Sequence, residues 1–130
     1  MRILMSIALL FIGLYGYAQT TPALLAQQQL DAYNARDIEA FLAPYSEEVE
    51  IYNFPNALLY KGKATMRVNY ATMFDNTPDL HCHLVNRIIL GNTVIDQERV
   101  EGFSGGQIIE AIAIYKIKDD KIVQVYFIRK

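Results

Sequence analysis

The sequence predicts a single α+β domain in which three N-terminal helices pack on a curved, mainly antiparallel sheet. Two patterns support this prediction. In three segments between residues 22 and 74, apolar residues recur at the three- and four-residue spacing typical of helices. From residue 80 onward, apolar and polar residues alternate, as they do in strands. Helices that segregate onto one face of an antiparallel sheet form an α+β roll.

The predicted helices have recognisable ends. Thr21 supplies a capping hydroxyl and Pro22 favours the first turn, so the first helix begins there. Asp37 is the expected N-cap of a second, shorter helix, and Pro44 makes its last turn irregular. The predicted helical spans are roughly residues 22–36, 38–45 and 64–74.

Five strands are predicted, one before the third helix and four after it. Pro55 and Asn56 end the first strand, and Gly91-Asn92 is a two-residue hairpin turn because both residue types tolerate positive φ. Two further turns are expected at residues 102–106 and 119–120. The predicted strand spans are residues 49–54, 80–90, 93–101, 108–118 and 121–129.

The first hairpin allows a sharper prediction, because its turn fixes the register. If Leu90 pairs with Thr93, the residues that lie opposite one another follow by counting. One face then carries the pairs Arg87/Asp96, Val85/Glu98 and His83/Val100. The other face carries Leu84/Arg99, Asn86/Gln97 and Ile88/Ile95. Both faces mix polar with apolar side chains, which fits an inner face that lines a partly polar pocket and fits equally an outer face that forms a dimer.

The N-terminus has the pattern of a signal peptide. Arg2 precedes an apolar run over residues 3–15, and Gly16 and Ala18 place small residues at −3 and −1 of a cleavage site before Gln19. The run is shorter than the ~20 residues that a membrane-spanning helix needs. The sequence therefore predicts removal of residues 1–18, a periplasmic or secreted protein with no stable membrane insertion, and a domain over residues 22–130.

The composition narrows the classes of partner. Hydrophobic residues make up 52% of the chain, enough for a sizeable core, and the formal net charge is −2. A basic face is expected of a nucleic-acid-binding domain, so no nucleic-acid partner is predicted. Cys82 is the only cysteine, which excludes an intrachain disulfide. It is interpreted as a small buried side chain, and the alternative is an intermolecular bridge or a reactive thiol.

Three stretches of the chain resemble the nuclear transport factor 2-like superfamily, which includes SnoaL-like and ketosteroid isomerase-like domains. They are Asn34-Ala35-Arg36-Asp37 between the first two helices, Tyr45-Ser46-Glu47-Glu48-Val49 at the entry to the first strand, and Tyr60-Lys61-Gly62-Lys63 before the third helix. The resemblance covers nearly all of residues 22–130. It implies a cone-shaped roll with a pocket opening at one end, but no particular activity, because this fold hosts many functions.

The resemblance can be tested against ketosteroid isomerase, which uses a carboxylate base with a tyrosine and a protonated aspartic acid as oxyanion hole. An ungapped alignment on Asn34 to Asp37 places Asn53 at the base and Gln29 at the tyrosine. The aspartic acid falls on Ile112 or Ala113. An amide cannot accept the proton, so the chain is not expected to be a standard ketosteroid isomerase.

Asp96 and Glu98 are candidate catalytic acids or bases. Two residues apart on one strand, they face the same side roughly 6–7 Å apart. If both face a pocket that excludes water, the pKa of one rises and general acid/base chemistry near neutral pH becomes available. The alternative is that Asp96 pairs with Arg87 and Glu98 is solvated.

The two histidines, His81 and His83, share a face if they lie on one strand. They could then be two metal ligands, with Asp96 or Glu98 as the third. Because no further histidine exists to complete such a site, no metal is predicted. His83 is instead a candidate acid, base or hydrogen-bond donor, and the alternative is an ordinary surface residue.

Five polar residues are candidate ligand-binding positions. Tyrosine combines an apolar ring with a polar tip, which suits an amphipathic pocket. Tyr52 and Asn53 fall where the resemblance places the pocket mouth. The alternatives are core tyrosines and a turn-forming asparagine. The candidates are Tyr33, Tyr52, Asn53, Tyr70 and Asn86.

Two functions are compatible with these features. The first is an exported small-molecule-binding domain with one amphipathic pocket for a hydrophobic or amphipathic ligand. If that pocket is catalytic, acid/base chemistry without metal or organic cofactor is expected. The second is a non-catalytic homodimeric interaction domain that uses the outer face of the sheet with two-fold symmetry.

Overall fold

A computed structural model describes residue 16 and residues 19–130. The predicted signal peptide, apart from Gly16, lies outside the described residues. The α+β class is confirmed: in this part of the chain, two helices, two strands and a third helix precede the last four strands. None of the helices described is both long and apolar enough to cross a membrane.

One six-stranded sheet carries all the helices on a single face, which we call the inner face. The helices are α1 (Pro22–Ala35), α2 (Ile38–Leu42) and α3 (Lys63–Asn76). The strands are β1 (Tyr45–Asn53), β2 (Ala57–Lys61), β3 (His81–Leu90), β4 (Thr93–Glu101), β5 (Ile109–Lys118) and β6 (Lys121–Arg129). The strand order is β2-β1-β6-β5-β4-β3, with β1 and β6 parallel and every other pair antiparallel.

The connection between α1 and α2 attaches both helices to the edge of the sheet. Asn34 donates from Nδ2 to the Cys82 carbonyl (3.0 Å) and accepts from the Cys82 amide at Oδ1 (2.8 Å), so its side chain pairs with β3 as a neighbouring strand would. Arg36 ends α1 with a φ of 54°. Asp37 then caps α2 by accepting a hydrogen bond from the Ala40 amide (3.1 Å).

Two boundaries differ from the prediction. The second helix ends at Leu42, because Pro44 cannot donate a helical hydrogen bond, and Tyr45 becomes the first residue of β1. Residues 57–61 form an additional edge strand, antiparallel to β1, where the sequence predicts only a break. The break at Pro55 is a turn that reverses the chain rather than the end of the sheet.

The register of the β3–β4 hairpin is confirmed near the turn and wrong beyond it. Leu90 lies opposite Thr93, Arg87 opposite Asp96 and Asn86 opposite Gln97, as predicted. A bulge between Leu84 and Asn86 then absorbs one residue. Glu98 therefore faces Leu84 instead of Val85, and His83 faces Arg99 instead of Val100. Because a one-residue slip exchanges the two faces of a strand, His83 lies on the outer face.

The core lies between the helices and the inner face. Phe41, Leu42 and Met66 from the helices pack with strand residues such as Ile51 and Ile122, and all five are almost completely buried. Burial of apolar surface contributes about 25 cal/mol per Å² to stability. This core packs the inner faces of β4, β5 and β6 against α1 and α3. A cavity remains between these strands and the helices.

Gly102 allows β4 to pass close to the chain that leads into β3. Its φ is +99°, and a Cβ at this position would overlap the backbone of Asp79 and Leu80. We predict that Gly102→Ala lowers the free energy of unfolding by about 3 kcal/mol through strain and overlap together. Urea denaturation would measure the loss.

Gly105→Ala is the matched control for this substitution. Gly105 also has a positive φ, of +86°, but a Cβ there meets open space. We expect a loss of only about 1 kcal/mol, from backbone strain alone. Equal losses for the two variants would contradict the role assigned to the close approach at Gly102.

Candidate functional site

A cavity of about 460 Å³ lies between the helices and the inner faces of β4, β5 and β6. That volume lies within the usual range for small-molecule pockets. Its wall is mainly apolar and aromatic, with phenol, amide and thiol groups between the hydrocarbon surfaces. In the described part of the chain, two charged residues line it, Glu98 and Arg129. The main apolar contributors are Leu30, Phe41, Met73, Val100, Phe103 and Phe127.

Glu98 is the buried acid of this wall. Its position on β4 points it to the inner face, where it is 8% exposed and Tyr115 donates a hydrogen bond from Oη to Oε1 (3.2 Å). Burial, and to a lesser extent the neighbouring charge of Asp96, raises the pKa of Glu98 to about 7, against the opposing effects of Tyr115 and Arg87. A carboxyl group with this pKa exchanges a proton readily at neutral pH.

A chain of hydrogen bonds orients Tyr115 toward Glu98. Gln29 on α1 donates from Nε2 to the Tyr115 hydroxyl (3.0 Å) and to the Ala26 carbonyl (3.0 Å). Tyr45 in turn donates to Oε1 of Gln29 (3.2 Å). Since the Tyr115 oxygen already accepts from Gln29, its own proton is directed to Glu98. The buried network therefore presents one carboxyl group of fixed orientation to the cavity.

Asp96 has a different environment from Glu98 although it lies two residues away on the same face. It is completely buried, and Arg87 binds both of its oxygens, from Nε at 2.7 Å and Nη2 at 2.9 Å. Arg87 is itself held by Gln27, which accepts from Nη1 (2.9 Å). Asp96 does not line the cavity. The predicted alternative of an Arg87–Asp96 ion pair is thus the observed arrangement, whereas Glu98 is buried and not solvated.

Tyr33 and Tyr70 both line the cavity. Their hydroxyls form no hydrogen bond with a described residue, and no fully buried polar side-chain atom in that part of the chain lacks a partner. Both oxygens must therefore touch accessible space. Burial raises the pKa of each phenol above its ordinary value, so both stay protonated near neutral pH and can donate to a ligand.

Three of the predicted ligand-binding residues lie away from the cavity. Tyr52 stacks on Tyr126 on the outer face, with ring centroids 4.7 Å apart. Asn53 is exposed at the end of β1, beside the turn into β2. Asn86 lies on the outer face opposite Gln97, because the strand alternation directs its neighbour Arg87 inward. None of the three lines the cavity.

The histidines lie on the side of the sheet opposite the buried carboxylates. His83 bonds through Nε2 to Oε1 of Glu101 (2.8 Å), and its ring centroid is 4.5 Å from that of His81. The bulge in β3 places His83 there, away from the cavity, so it cannot act with Glu98 on one ligand. Among residues 19–130, no three His, Cys, Asp or Glu side chains are grouped as a metal site requires.

Sequence reasoning missed several residues of the site. Gln29, Tyr45 and Tyr115 form the hydrogen-bond chain, and Cys82 and Arg129 contribute to the wall. One signal was present for Gln29, a polar residue within the apolar stripe of the first helix. The contact between Gln29 and Tyr115 spans 86 residues of sequence, so no local pattern indicates it.

We predict opposite effects on stability from neutralising the two carboxylates. The pKa of Glu98 rises from 4.5 to about 7 on folding, so the contribution of Glu98 to the free energy of unfolding is full below pH 4.5 and declines as the pH rises through 7. Glu98→Gln removes this decline and is expected to be more stable than wild type at pH 8, by roughly 3 kcal/mol. Urea denaturation at pH 5 and pH 8 would measure the difference.

Asp96→Asn is expected to lower the free energy of unfolding by about 3 kcal/mol, because it leaves the guanidinium of Arg87 without its carboxylate.

A Glu98→Gln variant that is less stable than wild type at pH 8 would contradict the assigned environment of Glu98.

Comparisons with known proteins identify the family. The SnoaL-like domain family matches residues 26–125. No curated protein matches the chain. A solved cystatin-fold protein from Novosphingobium aromaticivorans is 23% identical, with a TM-score of 0.78 over 85% of this chain and 100% of that one.

Two further solved structures share the fold. A nuclear transport factor 2-like protein of unknown function from Cytophaga hutchinsonii is 17% identical, with a TM-score of 0.72 over 87% of this chain and 93% of that one. A candidate SnoaL-like polyketide cyclase from Jannaschia sp. is 15% identical, with a TM-score of 0.69 over 84% and 85%. The fold of this chain is therefore that of nuclear transport factor 2-like proteins, and since the family match spans well over half of the sequence, the chain belongs to the SnoaL-like domain family.

Proposed function

We propose that this protein is an exported domain that binds a hydrophobic or amphipathic small molecule and transfers protons to and from it through Glu98, without metal or organic cofactor. The observation that carries the proposal is a buried carboxyl group in the cavity wall with a pKa of about 7. A general base is most effective when its pKa lies near the working pH. Asp96 and Glu98 also match the general pattern of two nearby carboxylates whose different environments give them different roles.

The groups around the cavity suit proton removal from a carbon next to a carbonyl group. In such a step the C–H bond breaks, the proton passes to the Glu98 carboxylate, and the electron pair moves onto the carbonyl oxygen. The hydroxyls of Tyr33 and Tyr70, which have no protein partner among the described residues, are donors available to that oxygen. The name of the Jannaschia relative, a candidate polyketide cyclase, is consistent with carbonyl chemistry of this kind.

Deuterium exchange into 2-tetralone, a bicyclic ketone that fits the cavity volume, tests the proposal. We expect the purified protein to accelerate exchange of the protons beside the carbonyl, with a rate that rises about tenfold from pH 6 to pH 8 as Glu98 ionises. Proton NMR in D₂O would follow the exchange. Glu98→Gln should reduce the protein-catalysed rate to background, because an amide cannot accept the proton.

Glu101→Gln is the matched control for this experiment. It neutralises a glutamate on the same strand whose side chain interacts with His83 and Arg99 and does not line the cavity. Its exchange rate should equal that of the wild type. If Glu98→Gln binds 2-tetralone and exchanges its protons as fast as the wild type, Glu98 is not the base.

A second candidate function is a homodimeric interaction domain. The observation that favours it is an apolar band on the outer face of β3 to β6, where Val85, Ile88 and Ile128 are exposed and Ile128 lies opposite Ile112. A symmetric dimer would cover this band.

We expect sedimentation equilibrium to give twice the monomer mass, and Ile112→Lys to give the monomer because it places a charge within the apolar contact. Lys118→Glu, at the far end of the same strand, is a control that should leave the mass unchanged. A monomeric wild type at high micromolar concentration would exclude this function.

A further inference from the structure

Among residues 19–130, one positively charged group lines the cavity, and the fold places that group in line with Glu98. Arg129 lies opposite Ala111 across β6 and β5, and Ala111 lies opposite Glu98 across β5 and β4. Directly opposed residues point to the same face of a sheet, so all three face the cavity. With strands about 4.8 Å apart, the Cα atoms of Arg129 and Glu98 are separated by roughly 10 Å.

Arg129 has its hydrogen-bond donors free. It forms neither an ion pair nor a side-chain hydrogen bond with a residue of the described chain, and its guanidinium lies over the Phe127 ring, 4.6 Å from the ring centroid. Stacking on an aromatic ring orients the guanidinium plane and leaves the N–H groups at its edge available. Arg129 is exposed while Glu98 is buried, so Arg129 lies at the mouth of the cavity and Glu98 in its depth.

The space between the two charged groups suits the body of a ligand. Ala111 lies between them and has only a methyl side chain. No long side chain from this row therefore fills the space between Arg129 and Glu98. Phe103, Ile109 and Phe127 supply apolar wall nearby. The arrangement offers a cation at the entrance, hydrocarbon contacts behind it and a proton-transfer group beyond them.

We propose that the ligand is an amphipathic carboxylic acid whose carboxylate is bound by Arg129 at the cavity mouth while its apolar body extends toward Glu98. A guanidinium binds a carboxylate through two parallel hydrogen bonds. A phosphate dianion fits less well, because one cation would leave its second charge uncompensated in a cavity that also contains Glu98. This inference rests on the proposed function, since it names the class of molecule that the same cavity accepts.

Two probes that differ only in charge test the inference. 2-Naphthoate carries a carboxylate on an apolar body, and 2-naphthamide is its neutral counterpart. Fluorescence titration at pH 6, where Glu98 is mostly protonated, would give the dissociation constant of each. We expect the wild type to bind naphthoate more tightly than naphthamide. Arg129→Gln should weaken naphthoate binding about tenfold and change naphthamide binding less than twofold.

Arg99→Gln is the charge-matched control. Arg99 lies on the outer face, where it pairs with Glu101 (3.1 Å), so its removal should leave both dissociation constants unchanged. Equal or absent binding of the two probes by the wild type would overturn the inference. The same holds if Arg129→Gln weakens both probes equally, since Arg129 would then only shape the cavity mouth.

The outcomes separate this inference from the proposed function. If Arg129 selects the carboxylate probe but Glu98 catalyses no exchange, the acid-binding site stands and the chemistry assigned to Glu98 falls. If exchange depends on Glu98 but Arg129→Gln changes the binding of both probes equally, the proposed function stands and the assigned ligand class falls.

Discussion

Two carboxylates are buried on the inner face of β4, and among the described residues one partly buried cation, Arg87, forms an ion pair with one of them. Transferring a charge out of water costs several kcal/mol unless a partner compensates it. Arg87 directs two of its nitrogens to Asp96, so this charge is compensated locally. Glu98 receives a hydrogen bond from the uncharged Tyr115 instead. Burial makes its ionised form unfavourable, and the more distant charge of Arg87 offsets this only in part, so the pKa of Glu98 lies near 7.

The bulge in β3 decides which side chains accompany Glu98. Without it, the strand alternation would direct His83 toward the cavity and Cys82 away from it. With it, Cys82 lines the wall, and its backbone is the group that Asn34 binds from the end of α1. Burial raises the pKa of the Cys82 thiol, so Glu98 has a neutral neighbour there instead of a second titrating group. The attachment of the helices and the chemistry of the wall thus depend on one short segment of β3.

The sequence predicted the features that local patterns determine. Residue alternation and turn residues located the four C-terminal strands, and the Gly91-Asn92 turn fixed the register as far as the Arg87–Asp96 pair. The bulge at Val85 was not predictable, since neither glycine nor proline marks it. The edge strand β2 was missed because all five of its residues are at least partly exposed and show no inside–outside alternation. The spacing of Asp96 and Glu98 on one strand indicated that they share a face. Only the tertiary fold could show that this face is the buried one and that Gln29 reaches Tyr115.

The position of the buried acid also constrains how a ligand can bind. In the ketosteroid isomerase pattern the base would stand at Asn53, on β1, whereas Glu98 stands on β4. Strands β6 and β5 lie between them, so the two positions are about 14 Å apart across the sheet. The aspartic acid of the ketosteroid isomerase oxyanion hole would stand at or beside Ala113. Ala113 is buried and lies opposite Asp96. A ligand whose reacting atom contacts Glu98 therefore binds in a different orientation from one that reacts with a base on β1, and in the binding mode proposed above it extends from Glu98 toward Arg129 at the cavity mouth.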